Sequence, residues 1–294
     1  MKKRKNGEKV VDFIINFLLL AIALIAIYPI WYVLIASVSN PTSIAAGKVV
    51  LLPDGFNLQA YIKLLDNKLI WKGYFNSICY TLATTALSMA VTVPCAYALS
   101  RKDLPGRSFF STFFIVTMYF SGGLIPSFLL INSLGWLNSP LALIVPGAMN
   151  VYNMILVKSF FLNSIPDALY DAARIDGASN TLFFIKVVLP LSPAILAVIA
   201  LFTMTASWNT YLPAQMYIYD TDLFTLQQVI KGITAEVSTA LMENMSTDEV
   251  SKLILERNLM KYAVVVVGCL PLVIMYPFIQ KYFVGGIMLG AVKE

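Results

Sequence analysis

The sequence contains no histidine. That absence removes the commonest general base, the commonest metal ligand and every Ser-His-Asp or Cys-His arrangement. Charge is also scarce: 13% of the residues are Asp, Glu, Lys or Arg, where soluble domains carry about 25%. The three cysteines, Cys79, Cys95 and Cys269, lie far apart inside apolar segments and lack metal-ligand spacing. They read as small buried hydrophobes, not as a disulfide framework or a zinc site. No Gly-x4-Gly-Lys-Ser/Thr phosphate loop occurs, since the Gly47-Lys48 pair is followed by Val49 and lacks the upstream glycine. No metal site, no catalytic residue and no ATP site of its own is therefore expected of this chain.

What is abundant is apolar. Hydrophobic residues make up 59% of the 294 and the mean hydropathy is +0.76. Six runs are long enough to cross about 30 Å of hydrocarbon at about 1.5 Å per residue. They cover 11–38, 75–99, 109–131, 141–161, 184–208 and 262–284. The expected fold is an all-α integral membrane protein with about six transmembrane helices. The first run follows Lys2, Lys3, Arg4, Lys5 and Lys9, as a signal peptide would, but its length and the lack of a small-residue cleavage site indicate an uncleaved anchor.

Cations set the expected orientation. With the N-terminus cytoplasmic, the inner segments hold those five together with Arg101, Lys102, Arg107, Lys158, Arg174, Lys186, Lys281 and Lys293, thirteen of the 21 Lys and Arg. Six spans then return the C-terminus to the cytoplasm of a cell (plasma or inner) membrane. The expected organisation is a cytoplasmic tail 1–10, a transmembrane domain 11–284 and a cytoplasmic tail 285–294. Proline and glycine punctuate the spans (Pro29, Pro94, Gly122, Gly123, Pro126, Pro146, Gly147, Pro190, Pro193, Gly268, Pro271, Pro277), as kinked helices around a pathway or ordinary membrane helices both allow. No charge falls near the middle of a span, which argues against a carrier driven by an intramembrane carboxylate.

The most informative polar stretch, about 162–186, separates the fourth and fifth runs. Ser164 is placed as an N-cap with Asp167 in the capping-box position, Pro166 fits a first turn, and Gly177 suits a left-handed stop. A helix over 165–176 is expected, with Ala172 and Ala173 small enough to let another surface approach.

The run Asp171-Ala172-Ala173, then Gly177, then Val187-Val188-Leu189-Pro190 resembles the EAA loop of importer-type ATP-binding-cassette (ABC) permeases, with Asp in place of Glu. Ile175-Asp176-Gly177-Ala178, Leu189-Pro190-Leu191-Ser192-Pro193, Ser207-Trp208-Asn209 and the ending 281–293 extend the likeness to the carbohydrate-uptake, MalG-like permeases. Met118-Tyr119-Phe120-Ser121-Gly122-Gly123-Leu124-Ile125-Pro126 further resembles an oligosaccharide and polysaccharide-fragment branch.

The resemblance implies an importer type I permease fold with a cytoplasmic coupling helix, and a non-enzymatic transport subunit forming half of a sugar pathway. It implies a second permease, two ATPase subunits that bind ATP and Mg, and an extracytoplasmic sugar-binding protein. Asp171, Ala172, Ala173, Arg174, Asp176 and Gly177 would carry ATPase coupling. The C-terminal tail would reach the ATPases. The segments 39–73 and 209–261 would meet the binding protein, or else cap the bundle.

Sugars present hydroxyls and apolar ring faces, so aromatic and neutral polar side chains are the path candidates: Tyr119 and Ser121, Asn150, Tyr152 and Asn153, and Trp208 with Asn209. The same machinery carrying another solute, and a secondary carrier or channel, remain as rivals. Nucleic-acid binding has no support in the sequence.

Overall fold

The computed structural model describes residues 6–239 and 260–277. In chain order its helices are α1 (Asn6–Ser37), α2 (Pro41–Ala45), α3 (Gln59–Asp66), α4 (Lys68–Ser100), α5 (Arg107–Tyr119), α6 (Leu124–Ser133) and α7 (Leu141–Ile144). They continue through α8 (Val151–Ser164), α9 (Asp167–Ile175), α10 (Asn180–Phe183), α11 (Pro193–Trp208), α12 (Leu212–Tyr217), α13 (Leu226–Thr239) and α14 (Met260–Pro277). Among the described residues there is no strand. The cations Lys2 to Lys5, most of the 236–260 stretch, the ending 281–293 and the tail 285–294 lie outside the described residues.

Four helical stretches are long and apolar enough to cross a membrane: Val11–Ser37, Lys68–Ser100, Leu141–Ser164 and Met260–Pro277. The count becomes six if α5 with α6, and the α10 segment with α11, each make one span. The expected runs 109–131 and 184–208 are therefore not single rods. The first bends by 112° and the second by 88°. The cause of the first break is Gly123, whose φ of 87° and ψ of −178° belong to a region that only glycine occupies without strain. At the second, the backbone widens into a π-turn over Phe184–Val188, closed by Leu189 N donating to Phe184 O at 3.0 Å, just before Pro190. Proline there has no N–H and would strike the carbonyl four residues back in a regular helix.

Two compact units divide the described residues. One comprises 6–68, 230–239 and 260–270. Its α1 is apolar all round and bare along its most hydrophobic stretch, as lipid permits. Near the end of α1 the chain is tied down: Trp31 Nε1 donates to Leu51 O at 2.9 Å, Ser37 Oγ lies 2.7 Å from Tyr61 Oη, and Asn40 N donates to Asp54 O at 2.9 Å.

The other unit comprises 69–229 and 271–277. Its core is built from Val93, Ala96 and Leu99 of α4, Met154, Val157 and Phe161 of α8, Tyr170, Phe183, Val188 and Ile199. The opposite end of α4 is held by hydrogen bonds instead. Asn76 Nδ2 donates to Asp222 O (2.9 Å) and Phe224 O (3.0 Å), and Ser77 Oγ accepts from Leu226 N at 2.8 Å. Gly73 lies so close to Leu226 that a Cβ would meet its Cα at 3.1 Å. Gln228, 4% exposed, closes the segment that follows α12. Its amide donates to Ala214 O and Ile218 O, each at 3.1 Å, while Oε1 accepts from Thr225 N at 3.0 Å.

Gln228→Leu leaves Ile218 O and Thr225 N without that partner in a buried place, while Ala214 O keeps the hydrogen bond from Ile218 N at 2.9 Å, so about 2–4 kcal/mol of stability is expected to go, at about 1–3 kcal/mol per orphaned group with partial relaxation. A lowered thermal midpoint in detergent checks this; a midpoint equal to that of the unaltered chain shows the clamp to be dispensable.

Candidate functional site

The polar loop folds into the nine-residue helix α9. Its start differs from the expectation. The N-cap position is Pro166, no side chain caps the helix, and the helix begins at Asp167 instead of 165. The predicted Ser164–Asp167 capping box does not form, because α8 runs on through Ser164 and Asp167 is drawn to a partner remote in sequence. Its Oδ2 accepts from Lys102 Nζ at 2.6 Å. That hydrogen bond and the ammonium charge hold the Asp167 carboxyl below the ordinary carboxylate range. The helix ends as expected, with Gly177 at φ +76° and Ala178 N donating to Ala173 O at 2.9 Å.

Tyr170 fastens α9 to the unit beneath. It is 6% exposed, and its ring meets Phe183 edge-on with centroids 5.4 Å apart. The Arg101 guanidinium lies over the Tyr170 ring, 3.3 Å from the centroid. The hydroxyl, with one proton to give, is shared between Asp103 Oδ2 at 3.0 Å and Asn180 Oδ1 at 2.8 Å. Burial pushes the Asp103 carboxyl up, but the Tyr170 hydrogen bond, its local backbone hydrogen bond and Arg101 outweigh it and hold the group below its usual value. One aromatic side chain thus joins α9 to the turn between α4 and α5 and to the start of α10.

Of the residues expected to couple, Ala173 is half-buried against the core, while Asp171, Ala172, Arg174, Asp176 and Gly177 are exposed. The outer surface also carries two apolar side chains that sequence reasoning did not single out, Leu169 at 40% exposure and Ile175 at 87%. The signal for them was their position on the bare side of an amphipathic helix.

The path candidates separate. Asn150 and Asn153 line a cavity of about 250 Å³ with Thr84, Phe202, Ser207 and Thr210 among its other walls. Asn150 caps α8, its Oδ1 accepting from Asn153 N at 3.1 Å. Tyr119, Ser121 and Tyr152 are exposed and do not line it. Trp208 is buried against Tyr74, ring centroids 6.1 Å apart, and Asn209 Nδ2 donates to Thr205 O at 2.9 Å. Thr84, Ser207 and Thr210 were not among the candidates, because an isolated helix threonine or serine looks like ordinary packing.

Two outcomes test the α9 seat. Tyr170→Phe should weaken protection of residues 167–175 against hydrogen exchange by about 1–2 kcal/mol, the loss of a hydrogen bond to a charged acceptor. Both carboxyls of the seat are depressed. What they contribute is therefore fully present above about pH 4 and lost only as pH falls through their lowered values. Protection of α9 should stay flat from pH 5 to 8, once intrinsic exchange is accounted for. A change inside that window would show that another titrating group holds the helix.

No protein-family model matches the chain. The polygalacturonan/rhamnogalacturonan transport system permease protein YtcP of Bacillus subtilis is 39% identical over 286 residues, covering 97% of this chain and 99% of that protein. Protein LplC of the same bacterium is 34% identical, over 92% of this chain and 90% of LplC. The crystal structure of a bacterial ABC transporter involved in the import of the acidic polysaccharide alginate contains a chain with a TM-score of 0.83 and 31% identity, matched over 96% of this chain and 100% of that one. With the loop helix, the helical spans and these identities agreeing, the chain belongs to the carbohydrate-uptake family of ABC-importer permease subunits: a multi-pass, all-helical membrane protein that transports and leaves ATP hydrolysis to a separate subunit.

Proposed function

We propose that this chain forms one half of an oligosaccharide pathway and is driven by an ATPase that grips α9. The observation that carries this is the bare face of α9. An isoleucine left 87% exposed on a short helix anchored on its other side is an unfilled contact. Ala172, one turn before it, is small enough for a groove to close over. Asp171, Arg174 and Asp176 would set the register at the rim, and Gly177 ends the helix so that nothing extends the ridge. Ala173 is half-buried and acts from beneath, setting how closely α9 lies on the core.

The remaining machinery follows from that contact. A second permease would complete the pathway as a heterodimer. Two ATP-binding-cassette subunits would hold ATP and Mg between them, and an extracytoplasmic sugar-binding protein would deliver the substrate to the 39–73 and 209–261 segments. Closure of the ATPases would displace the two α9 helices as rigid bodies. The tail 285–294 would add a second ATPase contact.

Orientation is supported by the described cations. Arg101, Lys102, Arg107 and Arg174 gather at the α9 end of α4, while Asp220 and Asp222 lie at its other end, where Lys72 Nζ approaches Asp222 Oδ1 at 2.6 Å. The positive-inside bias supports a cytoplasmic α9 and cytoplasmic termini. An oligosaccharide is favoured because the cavity at Asn150 and Asn153 is walled by neutral hydrogen-bonding groups and one aromatic ring.

The test uses the chain assembled with its partner permease and ATPase in liposomes, supplied with loaded binding protein. Ile175→Glu and Ala172→Arg should each cut ATP-dependent uptake by about tenfold or more, at ~1.4 kcal/mol per decade of lost docking, and uncouple hydrolysis from transport. Assembly should be unchanged, since neither side chain is buried. Gly177→Asp should be milder, because nothing lies within 4 Å of a Cβ there and the cost is the left-handed backbone alone. Uptake at the unaltered level in both Ile175→Glu and Ala172→Arg would remove α9 from this role.

A further inference from the structure

The cavity beside Asn150 sits where a membrane protein has most to lose from polarity. Thr84 is the central residue of the 33-residue α4, about 24 Å of helix from either end. At the same place the span Leu141–Ser164 breaks. Helix α7 stops at Ile144, a 3₁₀ turn covers Pro146–Ala148, and α8 restarts only at Val151 with Asn150 as its cap. Non-helical backbone at membrane depth is tolerated where it is covered by protein or lines a polar cavity. This break lines one, together with the C-terminal half of α11.

The hydroxyls around the cavity are unequal. Thr203 Oγ1 lies 3.4 Å from Ser88 Oγ, and Thr85 Oγ1 bonds back to Thr81 O at 2.7 Å. Thr84, 3% exposed, makes no such return bond, and its Oγ1 is buried without a partner in the protein. Asn153, 6% exposed, lines the same space through α8, Ser207 lines it from α11, and Thr210 from the turn just after that helix. The Phe202 ring supplies an apolar wall. Among the described residues that line the cavity, none is charged. Its volume of about 250 Å³ falls just under the ~300–1,000 Å³ of drug-sized pockets, which suits one ring, not a chain.

We infer that this cavity is a subsite for a single pyranose unit of the transported oligosaccharide, reading ring hydroxyls through Thr84, Asn150, Asn153 and Ser207 and stacking the apolar ring face on Phe202. It is indifferent to charge, so that any carboxylate on the sugar is met elsewhere in the pathway. This rests on the importer reading above and adds to it which residues of this half hold sugar, how many units, and what is not discriminated.

The test uses the assembled transporter in liposomes with two trisaccharide probes of pyranose units, one neutral (β-1,4-galactotriose) and one uronic (trigalacturonate), each delivered by a binding protein that accepts it. Thr84→Val with Ser207→Ala should lower uptake of each transported probe by roughly five- to tenfold, the loss of two modest hydrogen bonds. Should that pair fail to assemble, Ala206→Cys serves instead. Ala206 is exposed on the cavity wall. Its alkylation by a maleimide, read above the background of Cys79, Cys95 and Cys269, should slow severalfold when either sugar is trapped with ATP and vanadate. Undiminished uptake in the double variant, no protection of the cysteine, or a loss confined to one of the two sugar classes would overturn the subsite. Absence of ATP-dependent uptake by the unaltered complex would instead overturn the importer reading on which it rests.

Discussion

Hydrocarbon offers no partner to a hydrogen-bonding group, and the departures of this chain from six plain rods follow from that constraint. A straight helix satisfies its own backbone and needs nothing else, so α1 stands bare to its surroundings over its most apolar stretch. A break exposes N–H and C=O groups that something must meet. Each break here comes with its own provision. At Ser121–Gly123 the Ser121 hydroxyl accepts from Gly123 N at 3.2 Å. At Leu189–Ser192 the Ser192 hydroxyl, fully buried, donates to Val188 O at 2.7 Å. At Met149–Asn150 the Asn150 side chain caps the new helix and a polar cavity opens beside it. Polar side chains in the spans are thus less a decoration of the helices than the condition for interrupting them.

The same economy explains how a nine-residue loop helix keeps its place. Isolated helices this short are not stable in water, and α9 lacks a side-chain cap. Its order comes from Tyr170, which buries a ring against Phe183 and presents a hydroxyl to Asp103 and Asn180. The Lys102–Asp167 pair, with both side chains more than 60% exposed, adds orientation and little free energy. Behind the helix a cavity of about 320 Å³, lined in part by Tyr97, Lys102, Asn163 and Asp167, leaves the start of α9 less supported than its middle.

Much of this architecture was legible in the sequence because hydrophobic length is a strong signal, and all six apolar runs contain helix where they are described. Which punctuation would matter was not legible. Pro29 and Pro94 lie inside uninterrupted helices, whereas the Gly122-Gly123 pair breaks one. A proline costs one hydrogen bond that neighbours or water can replace, while Gly123 takes a conformation closed to other residues, and the flanking residues alone do not say which choice the fold requires. The capping box failed for a similar reason. Its local logic was sound, but Lys102 lies 65 residues away, and a charge partner at that separation leaves no trace in local spacing. Asn150 and Asn153 stood out as amides in an apolar run, whereas Thr84 became conspicuous only when its neighbours proved to leave its hydroxyl unmatched.

The loop helix and the polar cavity belong to one folded unit, and the elements between them are of two mechanical kinds. Helix α8 is a regular rod of 14 residues, about 21 Å long. It is capped at the cavity by Asn150 and ends at Ser164, just before α9 begins. Helix α4 is also unbroken, with Thr84 at its centre and its last turn beside the Arg101 that covers Tyr170, but Pro94 lies between the two and removes one backbone hydrogen bond. The third route, from α9 through α10 to α11, passes a π-turn and an 88° bend before it reaches Ser207. A regular helix resists bending, whereas a π-turn followed by Pro190 and Pro193 has already given up the hydrogen-bond ladder that makes it stiff. A push on α9 would therefore reach Asn153 through the stiff α8 and Ser207 through a compliant segment. The cavity wall on α11 would then lag behind the wall on α8, and a cavity whose walls move unequally changes shape when α9 moves.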